Sequence, residues 1–294
     1  MAQQKILLAT DYSEAAMSAE RYAVQLALRT DSALVLLHVW SRPVMYPADA
    51  VSFAVEADVR ERDEMRKLEM YRERLLHAFN VNEGQVNCTC VTREGINVGK
   101  QIREAAKELQ ADFIVAGTHG ASGFRETFLG THAWDVIRKT DIPVFAIPRD
   151  TVFSGINRIV FGTSYREEEF SVLNFLTRFA ERFNAKLTIL HVTNFVLTEK
   201  FENEMFQKFR DEIKTRFEYR DVDTHLLESD SVEHGLKTYC AENKTDILAM
   251  SIPQSSFFEK FFLPGLSMTK KMSLHTQIPL LVVPASADVA PEVP

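Results

Sequence analysis

Four of the chain's 11 glycines, Gly117, Gly120, Gly123 and Gly130, fall within the 14 residues that follow the short apolar run Phe113–Ala116. A glycine-rich turn between a strand and a helix presents backbone N–H groups with no side chain in the way, and phosphate is their natural occupant. Gly117 lets the chain leave the strand close to a ligand, Gly120 lets amides turn inward, and Gly130-Thr131 opens the next helix beneath the phosphates. Thr131 adds a hydroxyl. His119 and His132 flank the same groove and would pair with phosphate when protonated. Arg125 sits in the loop, either closing over phosphate or simply solvated. The plain alternative is a turn with no ligand. No Gly-Lys-Ser or Gly-Lys-Thr is present, so the loop is not a Walker P-loop. The first apolar run is followed by Ala9-Thr10-Asp11-Tyr12-Ser13, not by the Gly-x-Gly-x-x-Gly dinucleotide fingerprint.

The elements that must position this loop occur twice. Ile6–Asp11 parallels Ile159–Ser164 and Leu34–Val39 parallels Leu187–Val192, both at an offset of 153 residues. Val98, Ile102, Ala106, Asp112 and Ile114 parallel Val232, Leu236, Cys240, Asp246 and Leu248 at an offset of 134, so the second half has lost 19 residues from its middle. Ile142–Pro148 and Ile278–Pro284 close the two halves with the same apolar, proline-bounded run. Within each half, apolar runs alternate with helical periodicity, the pattern of a parallel sheet covered by helices on both faces.

In the first half, strands are expected at 5–10, 34–39, 85–92, 113–116 and 144–147. Ala16, Ala19, Ala23, Leu26 and Ala27 mark a helix capped by Ser13. Residues 56–79 read as a long exposed helix. Asn97 caps a helix whose inner face is Val98, Ile102, Ala105 and Leu109, and a further helix begins near Thr131. The boundary between two domains, 1–150 and 151–294, is expected at 150–155, and 285–294 reads as a loose tail.

Composition narrows the class. With 46% hydrophobic and 26% charged residues the chain has the make-up of a globular protein, and its net charge of −7 gives no overall attraction to nucleic acid. No apolar stretch is long enough to span a membrane, and the N-terminus reads without a secretory signal, so a cytoplasmic location is expected. Three cysteines make no disulfide framework. Cys88 and Cys90 lie two apart and share one face of a strand, which suits packing better than zinc. His38 and His191 recur inside equivalent apolar strands and read as structural.

The spacing Gly117-x2-Gly120-x9-Gly130-Thr131, with Ile6–Glu14, Leu34–Val39, Ala111–Gly120 and Ile142–Pro148, resembles the ATP-binding pattern of the universal stress protein family. The resemblance covers nearly all of residues 1–150 and, less faithfully, 156–284. It implies two tandem Rossmann-like domains of the adenine nucleotide alpha hydrolase-like type, α/β, each with five parallel strands in the order 3-2-1-4-5. It implies that Ala9, Thr10 and Asp11 hold the adenosine end and that a backbone group at Val39 meets adenine. The phosphates then fall to Gly117, His119, Gly120, Gly130, Thr131 and the backbone of His132. ATP is the implied ligand, with any Mg or Mn held through its phosphates and no metal site in the protein itself. The family's pairing through its last strand implies an internal pseudo-dimer of the two halves, and a homodimer of such chains remains open. Asp11 alternatively caps a helix or braces a turn.

The second half reads Met250-Ser251-Ile252-Pro253-Gln254 where the first has Ala116-Gly117-Thr118-His119-Gly120, and Ser164 replaces Asp11. Only Gly265 lies near the position of Gly130. The second domain is therefore expected not to bind ATP in the same mode. Phe257, Phe258, Phe261 and Phe262 appear there instead, as core or as cover for a groove or partner surface. No serine-histidine-carboxylate constellation stands out. The resulting expectation is a stress-associated adenine-nucleotide-binding protein that signals to other proteins and is not an enzyme beyond slow ATP hydrolysis. The alternatives are a nucleotide-processing enzyme and a nucleotide-free interaction scaffold.

Overall fold

A computed structural model of the protein describes residues 3–14, 16–41, 50–82, 84–118, 131–193, 199–252 and 278–285, with the side chains of 50–57, 131–132 and 199 left aside. The chain forms two compact units. One comprises Met1–Lys139 with Ala146–Phe153, the other Thr140–Phe145 with Ser154–Pro294.

The first half runs β1 (Lys5–Ala9), α1 (Met17–Thr30), β2 (Ala33–Trp40), α2 (Ala50–Ala78), β3 (Cys88–Glu94), α3 (Val98–Glu108), β4 (Phe113–Gly117), α4 (Thr131–Ile137) and β5 (Val144–Ile147). Its strands lie in the order β3-β2-β1-β4-β5, and the pairings of β1 with β2, β1 with β4 and β2 with β3 are parallel. Ile6, Leu7, Leu8, Leu34, Leu36, Leu37 and Ile114 are fully buried, as strands covered on both faces must be. One face of α1, carrying Ala19, Ala23, Val24, Leu26 and Ala27, is buried, and the helix ends on Asp31 in the left-handed conformation. Among the described side chains of the long α2, a narrow stripe through Glu64, Leu68 and Leu75 is buried.

The second half repeats the plan with β6 (Arg158–Gly162), α5 (Glu169–Phe183), β7 (Lys186–Thr193), α6 (Glu199–Arg216), β8 (Val222–Glu228), α7 (Val232–Glu242), β9 (Ile247–Ile252) and β10 (Leu280–Pro284). Its order is β10-β9-β6-β7-β8, the same 3-2-1-4-5 arrangement, with parallel pairs throughout.

Two local expectations shift. Strand β3 starts at Cys88, not Gln85, because Gln85 belongs to a turn: its side-chain oxygen accepts from Asn82 N at 2.7 Å while Gly84 takes φ +89°. Helix α1 starts at Met17 after an uncapped Ala16, and Ser13 instead holds the lead-in turn by accepting from Ala16 N at 3.2 Å. Asn97 does cap α3, accepting from Lys100 N at 2.9 Å. The inner face of α3 falls on Gly99, Ile102, Ala105 and Ala106, with Val98 and Leu109 half-buried.

Candidate functional site

In a doubly wound sheet the crevice opens where the strand order reverses, outside the carboxyl ends of two neighbouring strands that lead away in opposite directions. In the first half that point lies between β1 and β4. Leu8 pairs with Val115, so both strands leave the sheet within a few residues, and Ala9–Asp11 and Gly117–Thr118 emerge side by side. Val39 lies at the same end on β2, two residues past Leu37, the partner of Ala9.

The β1 turn is built around Thr10. This residue is 6% exposed. Its hydroxyl donates to Glu20 Oε1 at 2.5 Å and accepts from Tyr12 N at 3.1 Å. Its amide donates to Leu37 O at 2.9 Å. Its carbonyl lies 2.9 Å from His38 Nδ1, and since a carbonyl only accepts, that nitrogen carries the proton. With hydroxyl, amide and carbonyl all engaged, Thr10 shapes the turn. The turn forces Tyr12 to φ +63°, an uncommon conformation for a bulky residue, and the ring is held by His38 (centroids 4.3 Å apart) and Tyr71 (4.9 Å). Asp11 is exposed, and its Oδ1 accepts from Ser13 N at 3.0 Å, an Asx turn. The turn-bracing role open to Asp11 is therefore present, with the residue still at the surface of the crevice.

Glu20 escaped the sequence reading. It is 1% exposed, and besides Thr10 it accepts from Tyr71 Oη at 2.7 Å. Burial raises its carboxyl above the ordinary value, with the Thr10 and Tyr71 hydroxyls pulling the other way and Asp11 adding to the rise. The signal was there: Glu20 stands four residues after Ala16 and three before Ala23, an acid on an apolar stripe.

Of the remaining expected residues, Gly117 ends β4 half-buried, followed by buried Thr118, whose amide donates to Ile147 O at 2.9 Å. Ala9 and Val39 are half-buried. Thr131 and His132 form the first turn of α4. His119, Gly120, Gly123, Arg125 and Gly130 lie outside the described residues, as do Phe257, Phe258, Phe261, Phe262 and Gly265. Among the described residues no group of three or more His, Cys, Asp or Glu is placed to hold a metal ion, and no helix is long and apolar enough to cross a membrane. All three cysteines are free thiols; burial pushes Cys88 up to about 12 and Cys240 up to about 11, away from reactivity.

The corresponding turn of the second half reproduces the frame. Thr163 Oγ1 accepts from Tyr165 N at 3.1 Å, Thr163 O meets His191 Nδ1 at 2.9 Å, and Tyr165, at φ +61°, stacks on His191 with centroids 4.0 Å apart. The side chains lining the crevice differ. Where the first half has Ala16, Asp11 and Gly117, the second has Glu169, Ser164 and Ser251.

Two halves with the same strand order, each with its switch point between the first and fourth strands and the same turn beside it, define a duplicated α/β protein of the doubly wound class. Residues 3–148 match the Universal stress protein family, and the chain belongs to that family. It is 25% identical over 154 residues to universal stress protein MJ0577 of Methanocaldococcus jannaschii, an alignment covering 50% of this chain and 95% of that protein. It is 29% identical over 151 residues to universal stress protein Sll1388 of Synechocystis sp., covering 49% and 96% respectively. The fold of the full chain is similar to the crystal structure of a universal stress protein from Archaeoglobus fulgidus, with TM-score 0.73 and 16% identity over 97% of this chain and 100% of that one.

Proposed function

We propose that the protein is an adenine-nucleotide-responsive signalling module whose working site is the β1–β4 crevice of the first unit. The observation that carries this reading is the meeting of Asp11 and Gly117 at the switch point, with no side chain at Gly117 and only a methyl at Ala16 to occupy the space between the strand ends. That space suits a ligand that needs backbone amides and room for phosphate. Asp11 and the backbone beside it hold the adenosine end, Val39 faces the base, and Gly117, His119, Gly120, Gly130, Thr131 and His132 hold the phosphates. Any Mg or Mn is carried by the phosphate oxygens. Thr10, Glu20 and Tyr71 fix the shape of the turn from beneath.

The site is read as a binding switch: nucleotide held in the crevice alters a surface that a partner protein reads. ATP titration of the wild type, Gly120→Val and Gly130→Val tests the site. Each variant places a branched side chain against the ligand and is expected to weaken binding at least tenfold. Unchanged affinity in both rejects the site, and rapid ATP turnover that is lost in Asp11→Ala replaces the switch with an enzyme.

A further inference from the structure

The switch-point crevice of the second unit lies between β6 and β9, which pair directly, Phe161 with Ala249 and Gly162 with Met250. Its two strand ends are bridged by the chain itself. Glu169, the first residue of α5 and 2% exposed, sends its carboxylate across the end of both strands. From the β6 side it accepts the Thr163 hydroxyl at 2.6 Å, the Ser164 hydroxyl at 2.9 Å and the Ser164 amide at 3.1 Å, with the Arg166 amide at 3.4 Å. From β9 it accepts the Ser251 hydroxyl at 3.0 Å. Both carboxylate oxygens are used, Oε1 by the two serine hydroxyls and Oε2 by Thr163 and the Arg166 amide, with the Ser164 amide shared between them. This is the donor set that an external anion would demand, and the start of a helix further favours negative charge there.

The first unit solves the same local problem differently. Its strand-end threonine also needs a carboxylate, but Glu20 reaches Thr10 from one turn further along α1, at the position that is Leu173 in the second unit. The hydrogen bonds of Glu20 go to Thr10 and Tyr71, so this carboxylate does not bridge the strand ends. The position of Glu169 is Ala16 there, and the position of Ser251 is Gly117. Three coordinated differences, Glu169 for Ala16, Ser164 for Asp11 and Ser251 for Gly117, supply the bridging carboxylate of the second unit and two of the hydroxyls that hold it.

We infer that the second unit contains a carboxylate-binding site whose resident ligand is Glu169, so that this unit is permanently self-liganded and does not answer to dissolved anions. The proposal stands on the β6–β9 contacts alone and does not depend on nucleotide binding by the first unit.

Truncating Glu169 to alanine removes a fragment the size of acetate, so acetate is the probe. Melting temperatures of the full-length wild type and Glu169→Ala are compared in acetate and in chloride at equal ionic strength and pH. In chloride the variant is expected to melt about 5 °C lower, as loss of several charge-assisted hydrogen bonds implies. Acetate is expected to restore it saturably while leaving the wild type unmoved. A variant as stable as the wild type, or an acetate response equal in both, overturns the proposal. Should Glu169→Ala fail to fold in chloride, folding in acetate supports the proposal. If it folds in neither, Ser251→Ala decides: lowered stability supports the bridging carboxylate and unchanged stability rejects it. ATP affinity measured on the same samples keeps the two readings apart, because the acetate outcome remains readable whether or not the first unit binds nucleotide.

Discussion

Glu20 shows how one buried carboxyl fixes the geometry of the turn beside the β1–β4 switch point. It takes the Thr10 hydroxyl, Thr10 in turn takes the Tyr12 amide, and Tyr12 is thereby held at positive φ against His38. Burial raises the Glu20 carboxyl above its ordinary value of 4.5, so the folded state holds this proton more tightly than the unfolded chain does. The stability this contributes is fully present below the unfolded value and is lost as pH rises through the folded one. Glu20→Gln, which cannot ionise, should therefore gain stability relative to the wild type as pH is raised from 4 to 8, read as the difference in urea midpoints. Parallel midpoint curves would mean that the carboxyl is not proton-coupled to folding. Tyr71→Phe deletes the hydroxyl that donates to Glu20 Oε2 and leaves a buried acceptor short of a partner, at a cost of about 1–2 kcal/mol in the same measurement.

At the scale of elements, the two halves keep one loop-to-helix contact by opposite means. A Cβ on Gly95 would come within 2.7 Å of the Gln101 side chain, while a Cβ on Gly235 would come within 2.6 Å of Val192 Cγ1 and 3.0 Å of Ser229 Cβ. Gly95 and Ser229 are equivalent positions, as are Gln101 and Gly235, so the small residue has changed sides of the same junction. Gly235→Ala should destabilise by about 1–3 kcal/mol because Val192 is stiff and buried, even though alanine is the better helix former by about 1 kcal/mol. Adding Ser229→Gly should recover only part of that loss, since Val192 remains. Gly95→Ala should be milder, because the flexible end of Gln101 has room to turn aside, and calorimetric melting of the variants ranks them. This trade was hidden in the sequence because it is visible only once the contact is known. The cap at Asn97 was legible, whereas its counterpart Ser231, which accepts from His234 N at 3.1 Å, sits at the same place in the repeat and needed only the offset of 134. The strands were legible because buried parallel strands are continuous apolar runs. The start of β3 was not, because the Gln85 side chain closes a turn on Asn82.

At the scale of the whole molecule, the repeat read from sequence is carried by the hydrogen-bond register. Leu34 pairs with Cys88 in the first half and Leu187 with Val222 in the second, so the offset changes from 153 to 134 between the second and third strands. Helix α2, with 29 residues, is matched there by α6 with 18. The frame has been preserved and the residues at the two switch points have diverged, and the carboxylate bridge of the second, made by side chains from α5 and β9, could not be read from either segment alone. The proposal of one nucleotide site per chain makes a stoichiometric prediction. Both tryptophans, Trp40 and Trp134, belong to the first unit, and Trp40 directly follows Val39, so intrinsic fluorescence is expected to respond to nucleotide bound there. ATP should titrate the fluorescence to an endpoint of one nucleotide per chain and, at a hundredfold excess over its dissociation constant, stabilise the fold by about 2.7 kcal/mol. In Gly130→Val both the fluorescence change and the thermal stabilisation should disappear together. Thermal stabilisation by ATP that survives in Gly130→Val would place nucleotide in the second unit, and an endpoint of two in the wild type would do the same.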